Sequence, residues 1–172
     1  MSEILKAGEK GPDFTLPCRA VEAAGDEEPT FSLKNMRGKN VVLAFYPADW
    51  SAVCGDQLAL YNELLPMFAK QKAELFGISV DSEFSHEAFR ESRGYKMTLL
   101  SDFEPKGEVS KKYGVYREKD GFSERALFVI DKDGVIRYSY VSPIDVNPGA
   151  DQILKTLKEI QGEEKGEKEN GK

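Results

Sequence analysis

One stretch of the chain, Asn40 to Leu58, combines a cysteine with residue types that could make it reactive. It reads NVVLAFYPADWSAVCGDQL. Ser51 stands three residues before Cys54 and is a preferred type for the N-cap of a helix. If a helix begins after Ser51, Cys54 is its third residue, and its sulfur lies near unsatisfied N–H groups and the positive end of the helix dipole. A cysteine in this position tends to ionise to the thiolate, which is the nucleophilic form.

The elements on either side of this stretch are predicted to hold Cys54 in place. Asn40 to Tyr46 is a short apolar run with β-branched residues, which predicts a buried strand. Pro47 ends that strand, because proline has no N–H for a sheet ladder. After Cys54 the apolar residues recur at helical spacing as far as Phe68.

The remaining pattern predicts one α/β domain over residues 1–161. A β-hairpin is expected near the N-terminus, returning at Thr30–Leu33 after a polar loop at Arg19–Pro29. Further strands are predicted at Glu74–Val80, Met97–Leu100, Arg125–Asp131 and Val135–Val141, and further helices at 83–93, shortly before Gly114, and at 148–160. This order indicates a mixed central sheet flanked by helices. Residues 162–172 lack apolar side chains and are predicted to be a disordered charged tail.

The amino-acid composition argues against several classes of function. The 172 residues carry a formal net charge of −6 and no basic patch, so nucleic acid is not expected as a partner. No apolar run approaches a membrane span and the N-terminus has no secretory core, which predicts a cytoplasmic protein with reduced thiols. Two cysteines, Cys18 and Cys54, and one histidine, His86, cannot build the usual zinc site, so no metal or cofactor is expected. His86 lies on the polar side of its predicted helix and is expected to be solvated.

The segment Pro47-x-x-x-Ser51-x-x-Cys54 resembles the active-site pattern of the peroxiredoxins. The resemblance covers roughly residues 8 to 160 and takes in, in order, GPDFTLP, FYPADWSAVC, LLSDFEPKGEVSKKYGV and RALFVIDKDGVIRY. The LLSDF…YGV segment and the lack of a C-terminal cysteine are most similar to the one-cysteine group called alkyl hydroperoxide reductase E.

This resemblance implies a thioredoxin-like fold, in which the strand RALFVID runs antiparallel to NVVLAFYP. The start of the first strand then meets the end of the second, which places Arg125 beside Pro47 and Cys54. The resemblance also assigns the active-site arginine of the family to Arg125. Gln57 is a candidate to orient that arginine.

The implied activity is thiol-dependent reduction of hydrogen peroxide and organic hydroperoxides through a sulfenic acid at Cys54. A free cysteine has a pKa of about 8.5, and a helix N-terminus lowers it by roughly 1.5 units at most. A neighbouring guanidinium adds a shift of ~1–3 units, so Arg125 is needed to keep the sulfur ionised. Ser51, Arg125 and the Cys54 backbone are expected to stabilise the leaving oxygen, and Pro47 to shield the sulfenate.

Other functions and cycles stay open at this point. A thioredoxin-type dithiol oxidoreductase needs a second cysteine where Gln57 stands, and a cysteine hydrolase needs a histidine partner that His86 does not obviously supply. A redox-sensing or chaperone-like binding module would keep the fold and record oxidation only. Cys18 is expected to be a structural thiol, with an external reductant of the low-molecular-weight thiol, thioredoxin or glutaredoxin type. The competing cycle uses two cysteines and bridges Cys54 to Cys18, within the chain or across a dimer. The resemblance implies a homodimer or a higher homo-oligomer.

Overall fold

The computed structural model describes residues 3–18 and 29–171. The predicted loop at Arg19–Pro29 lies outside the described residues, except for Pro29. In chain order the elements are β1 (Thr15–Pro17), β2 (Thr30–Ser32), a 3-10 turn (Leu33–Met36), β3 (Asn40–Phe45), α1 (Ala52–Lys70), β4 (Ala73–Ser79), α2 (Glu83–Arg93), β5 (Thr98–Ser101), α3 (Glu108–Lys112), β6 (Tyr116–Arg117), β7 (Phe122–Ser123), β8 (Arg125–Ile130), β9 (Ile136–Ser142) and α4 (Asp151–Asn170).

The central sheet has the strand order β5-β4-β3-β8-β9. Strand β3 pairs parallel with β4 and antiparallel with β8, and β9 closes one edge antiparallel to β8. The mixed sheet predicted from the sequence is therefore confirmed, as is the N-terminal hairpin of β1 and β2. The register pairs Phe45 with Ala126. This brings Arg125, the first residue of β8, to the end of β3 from which the chain enters α1.

Side chains from the two faces of this sheet form two separate cores. Val42, Ala44 and Tyr46 point into the core that contains α1, α2 and α4. The residues between them point into a second core, with the β1–β2 hairpin and the region around α3. All six residues of β3 are buried, because both faces of the strand are covered.

Helix α4 extends beyond the end predicted from the sequence. It continues to Asn170, so residues 162–170 are helical where a disordered tail was predicted. Arg137 of β9 forms an ion pair with Glu163, with 2.6 Å between Nη2 and Oε2. Lys132 forms another with Glu164, with 3.4 Å between Nζ and Oε1. Glutamate and lysine are good helix formers, and these contacts tie the polar segment to the sheet. None of the helices in the described residues has the length and apolar character needed to cross a membrane.

Candidate active site

Cys54 is buried in the first turn of α1, as the capping pattern predicts. The helix starts at Ala52, so Cys54 is its third residue, and Ser51 is the N-cap. The Cys54 N–H donates to Ser51 Oγ at 3.3 Å. This bond leaves the hydrogen of the Ser51 hydroxyl available to donate elsewhere. It also engages the Cys54 N–H, so the backbone donor expected from the sequence is already in use.

Arg125 lies beside Cys54, as the strand pairing predicts. Its Nη1 and Nη2 atoms are each 3.4 Å from Cys54 Sγ, and the whole side chain is buried. Two donors from a cation that cannot lose its proton favour a negative charge on the sulfur. Burial strengthens this attraction because little water screens it.

The guanidinium of Arg125 is fixed by groups on two other segments. Nη1 donates to Gln57 Oε1 at 2.8 Å, so Gln57 does contact the arginine as hypothesised. Nε and Nη2 donate to the Ile144 carbonyl at 3.0 and 2.7 Å. These bonds leave the guanidinium little freedom to rotate away from the sulfur.

Tyr61 extends this chain of hydrogen bonds, and sequence reasoning missed its part. Gln57 Nε2 donates to the Tyr61 hydroxyl at 3.2 Å, and Tyr61 donates to the Gly149 carbonyl at 2.8 Å. Burial raises the pKa of Tyr61 to about 12, so its hydroxyl keeps its proton at neutral pH. The signal was available in the spacing, because residues 54, 57 and 61 recur at three and four positions and share one face of a helix.

Pro47 is buried two residues after the end of β3. Since Phe45 pairs with Ala126, Pro47 lies at the same end of the sheet as Arg125. The remaining residues of the loop, Ala48, Asp49 and Trp50, lead from this proline to Ser51. The four residues predicted to act in catalysis thus lie on three neighbouring pieces of the chain: the loop after β3, the start of α1 and the start of β8.

His86 is buried, so the prediction that it is solvated is wrong. Its Nδ1 lies 2.9 Å from Asp49 Oδ2, and its Nε2 lies 3.1 Å from the Leu100 carbonyl oxygen. The polar side of α2 faces the loop after β3 and the strand β5, which the pattern of a single helix cannot reveal. Within residues 3–18 and 29–171, one group of side chains could hold a metal ion: Asp49, Asp81 and His86, whose candidate ligand atoms lie within 4.8 Å of one another. Protein hydrogen bonds already engage these atoms.

Cys18 belongs to the other core. It is buried, and its backbone bridges to Leu100 of β5. Burial raises the pKa of the Cys18 thiol, which favours the protonated and less reactive form. Cys18 and Cys54 are both free thiols.

Comparison with known proteins agrees with this geometry. Residues 7–139 match the family model described as the AhpC/TSA family. The 2-cysteine peroxiredoxin of Chattonella marina var. antiqua is 38% identical, over 91% of this chain and 81% of that protein. The alkyl hydroperoxide reductase E of Mycobacterium bovis is 34% identical, over 79% of this chain and 85% of its own length.

The fold agrees as well. The crystal structure of the reduced 2-Cys peroxiredoxin of Plasmodium vivax superposes with a TM-score of 0.82 at 29% identity, and the match covers 94% of this chain and 84% of that chain. The thioredoxin-like fold expected from the sequence is confirmed. The chain therefore belongs to the AhpC/TSA family, the family of the peroxiredoxins.

Proposed function

We infer that this protein is a thiol-dependent peroxidase that reduces hydrogen peroxide and organic hydroperoxides at Cys54. One observation carries the inference. A buried sulfur at a helix N-terminus lies within 3.4 Å of two guanidinium nitrogens of Arg125. Both features stabilise a thiolate, and a thiolate is the nucleophile that attacks a peroxide oxygen.

The reaction at this site transfers one oxygen atom from the peroxide to the sulfur of Cys54. The Cys54 thiolate attacks the terminal oxygen of the peroxide, an S–O bond forms and the O–O bond breaks. The leaving oxygen takes the bonding electron pair and the peroxide proton, and departs as water or an alcohol, while the sulfur becomes a sulfenate. Arg125 and the free hydrogen of the Ser51 hydroxyl donate to the leaving oxygen as its charge grows. Pro47 shields the sulfenate from a second oxidation.

We propose a one-cysteine cycle for the return to thiol. An external thiol attacks the sulfenic acid, a mixed disulfide forms and water leaves. A second thiol then releases Cys54 and carries away the disulfide. The separation of Cys18 from Cys54 into different cores supports this cycle. The reductant class includes low-molecular-weight thiols and proteins of the thioredoxin or glutaredoxin type.

We also propose a homo-oligomer acting in the cytoplasm. Strand β9 is an edge of the central sheet and exposes Tyr140 and Val141, with Val146 exposed just beyond it. An open edge with apolar side chains favours pairing with a second copy. A cycle that consumes thiols at each turn also suits a reducing compartment. Sedimentation velocity of the reduced protein tests the first proposal, and cell fractionation tests the second.

The decisive experiment is peroxide consumption over many turnovers, with a supplied small thiol, a thioredoxin system or a glutaredoxin system. A peroxidase continues until peroxide or thiol is exhausted. A redox sensor or chaperone-like module reacts about once per Cys54 and then stops, and that result would contradict the proposed function.

A further inference from the structure

Asp49 ties the loop before α1 to helix α2 through a buried cluster of hydrogen bonds. Its carboxylate accepts from the Tyr46 hydroxyl at 2.6 Å and from the Ser85 hydroxyl at 2.8 Å, and it lies 2.9 Å from His86 Nδ1. The Asp49 N–H donates to Asp81 Oδ2 at 2.9 Å. The Asp49 side chain is completely buried. Such a cluster stabilises a single conformation of the loop, since each lost bond would leave a buried polar group unpaired.

His86 connects Asp49 to strand β5. Its Nε2 lies 3.1 Å from the Leu100 carbonyl oxygen, which can only accept, so Nε2 donates. Its other ring nitrogen, Nδ1, lies 2.9 Å from Asp49 Oδ2 and 3.3 Å from the Tyr46 hydroxyl. The imidazole therefore links the loop before α1 to the central sheet.

The loop that this pair holds has an unusual conformation directly before the helix cap. Trp50 has φ of +69°, in the left-handed region that bulky side chains rarely adopt. Such a conformation persists only where the surroundings enforce it. The Trp50 ring packs on Phe89 of α2, with 5.1 Å between ring centroids. The next residue is Ser51, whose hydroxyl caps the turn that contains Cys54.

We propose that Asp49 and His86 are positioning residues for the nucleophile. The pair fastens the loop to α2, keeps Trp50 in its left-handed conformation, and so fixes Ser51 and the first turn of α1 against Arg125. Neither residue touches the peroxide. The inference deepens the proposed peroxidase function and rests on it, because the geometry being held is that of the attacking sulfur.

The chain offers two specific probes for a test, since it contains one tryptophan, Trp50, and one histidine, His86. In untagged Asp49→Asn protein we expect the rate constant for oxidation of Cys54 by hydrogen peroxide to fall by about 100-fold, the effect of a misplacement near 1 Å. The pH midpoint of Cys54 alkylation by a small reagent should move upward, and the Trp50 emission should change. Nitrogen-15 NMR of the wild type should show a proton on His86 Nε2, which faces the Leu100 carbonyl oxygen.

Two replacements of His86 separate positioning from general destabilisation. In His86→Asn the amide can occupy the place of Nδ1 and donate to Asp49, so the rate should stay within about threefold of wild type. In His86→Leu that donor is absent, and the rate should fall as in Asp49→Asn. A loss of equal size in both replacements would overturn the positioning role.

Asp102→Asn is the matched control. Asp102 is also a buried carboxylate that accepts several hydrogen bonds, from the N–H groups of Val109 and Ser110 and from the Ser110 hydroxyl, but its donors lie in α3. The Asp102→Asn variant should have the same pH midpoint of Cys54 alkylation and the same Trp50 emission as the wild type. The proposal fails if folded Asp49→Asn keeps the wild-type rate and midpoint, or if Asp102→Asn shifts them equally.

Two further results remain decisive if a variant or the assay fails. If Asp49→Asn does not fold, Ser85→Ala removes one bond to the Asp49 carboxylate and should still change the Trp50 emission and slow oxidation by about threefold. No change in either would overturn the proposal. If the wild type consumes no peroxide, the peroxidase function is wrong, while alkylation and fluorescence still test the positioning of the turn.

Discussion

Cys18 and Cys54 lie on opposite faces of the five-stranded sheet. Cys54 packs in the core with α1 and α2, and Cys18 packs in the core with the β1–β2 hairpin. Cys18 bridges to Leu100 of the edge strand β5, whereas Cys54 follows the central strand β3. A disulfide needs Cα atoms within about 7 Å of each other. A bridge within one chain would therefore require part of the fold to open.

This separation predicts the fate of Cys54 after one equivalent of peroxide. We expect non-reducing mass spectrometry to find Cys54 as a sulfenic acid, trapped by dimedone, or as a mixed disulfide when a thiol is present. Cys18→Ser should give the same products at the same rate. A dominant Cys18–Cys54 disulfide that disappears in Cys18→Ser would establish the two-cysteine cycle instead.

Replacing the nucleophile tests the reaction itself. Cys54→Ser should abolish peroxide reduction, because a serine hydroxyl at this position is far less ionised than a thiol. Serine is nearly isosteric, so the circular dichroism spectrum should be unchanged. Substantial activity in the folded variant would exclude Cys54 as the attacking group.

Arg125→Met should slow Cys54 oxidation by about 100-fold or more, the usual effect of removing a donor that stabilises developing charge. Loss of the cation also disfavours the thiolate, so the midpoint of alkylation against pH should move upward. Arg117→Met is the control, because Arg117 pairs with Asp120 and Glu124 in a separate turn. Identical midpoints in Arg125→Met and wild type would refute the assignment.

The raised pKa of Tyr61 predicts that the free energy of unfolding falls at alkaline pH. Burial raises the pKa of Tyr61 from 10.0 to about 12, so between these values the folded state holds a proton that the unfolded state has lost. This difference stabilises the folded state by up to about 3 kcal/mol. The stabilisation is fully present below pH 10 and is lost as the pH rises towards 12.

Urea titrations between pH 8 and pH 12 measure this effect. In Tyr61→Phe the decline of the free energy of unfolding should be shallower. Some decline should remain, because burial also raises the pKa values of Tyr46 and Tyr113. Equal slopes in Tyr61→Phe and wild type would contradict the prediction.

The polar end of α4 should contribute little to stability. Deleting residues 162–172 removes the contacts of Arg137 with Glu163 and of Lys132 with Glu164, which are partly exposed ion pairs. We expect the free energy of unfolding to fall by about 1 kcal/mol or less, with a measurable loss of helical signal. An unchanged helical signal per molecule would show that these residues are not helical in solution.

The parts of the site that local rules control could be predicted from the sequence. Ser51 and Cys54 follow from a capping pattern, and Arg125 from strand direction together with the family resemblance. His86 could not be placed, because its partners, Asp49 and the Leu100 carbonyl, come from other elements. The polar end of α4 was missed for a related reason, since its support comes from side chains on β9 and the turn before it.

The burial of Cys54 also affects its chemical selectivity. The residue has no solvent-exposed surface. Steric access, rather than intrinsic nucleophilicity, therefore decides which electrophiles react with it. We therefore expect a small oxidant such as hydrogen peroxide to react with the folded protein faster than bulky disulfides and maleimides, which need the surrounding residues to move. A protein thiol that reduces the sulfenic acid likewise needs the residues around Cys54 to move.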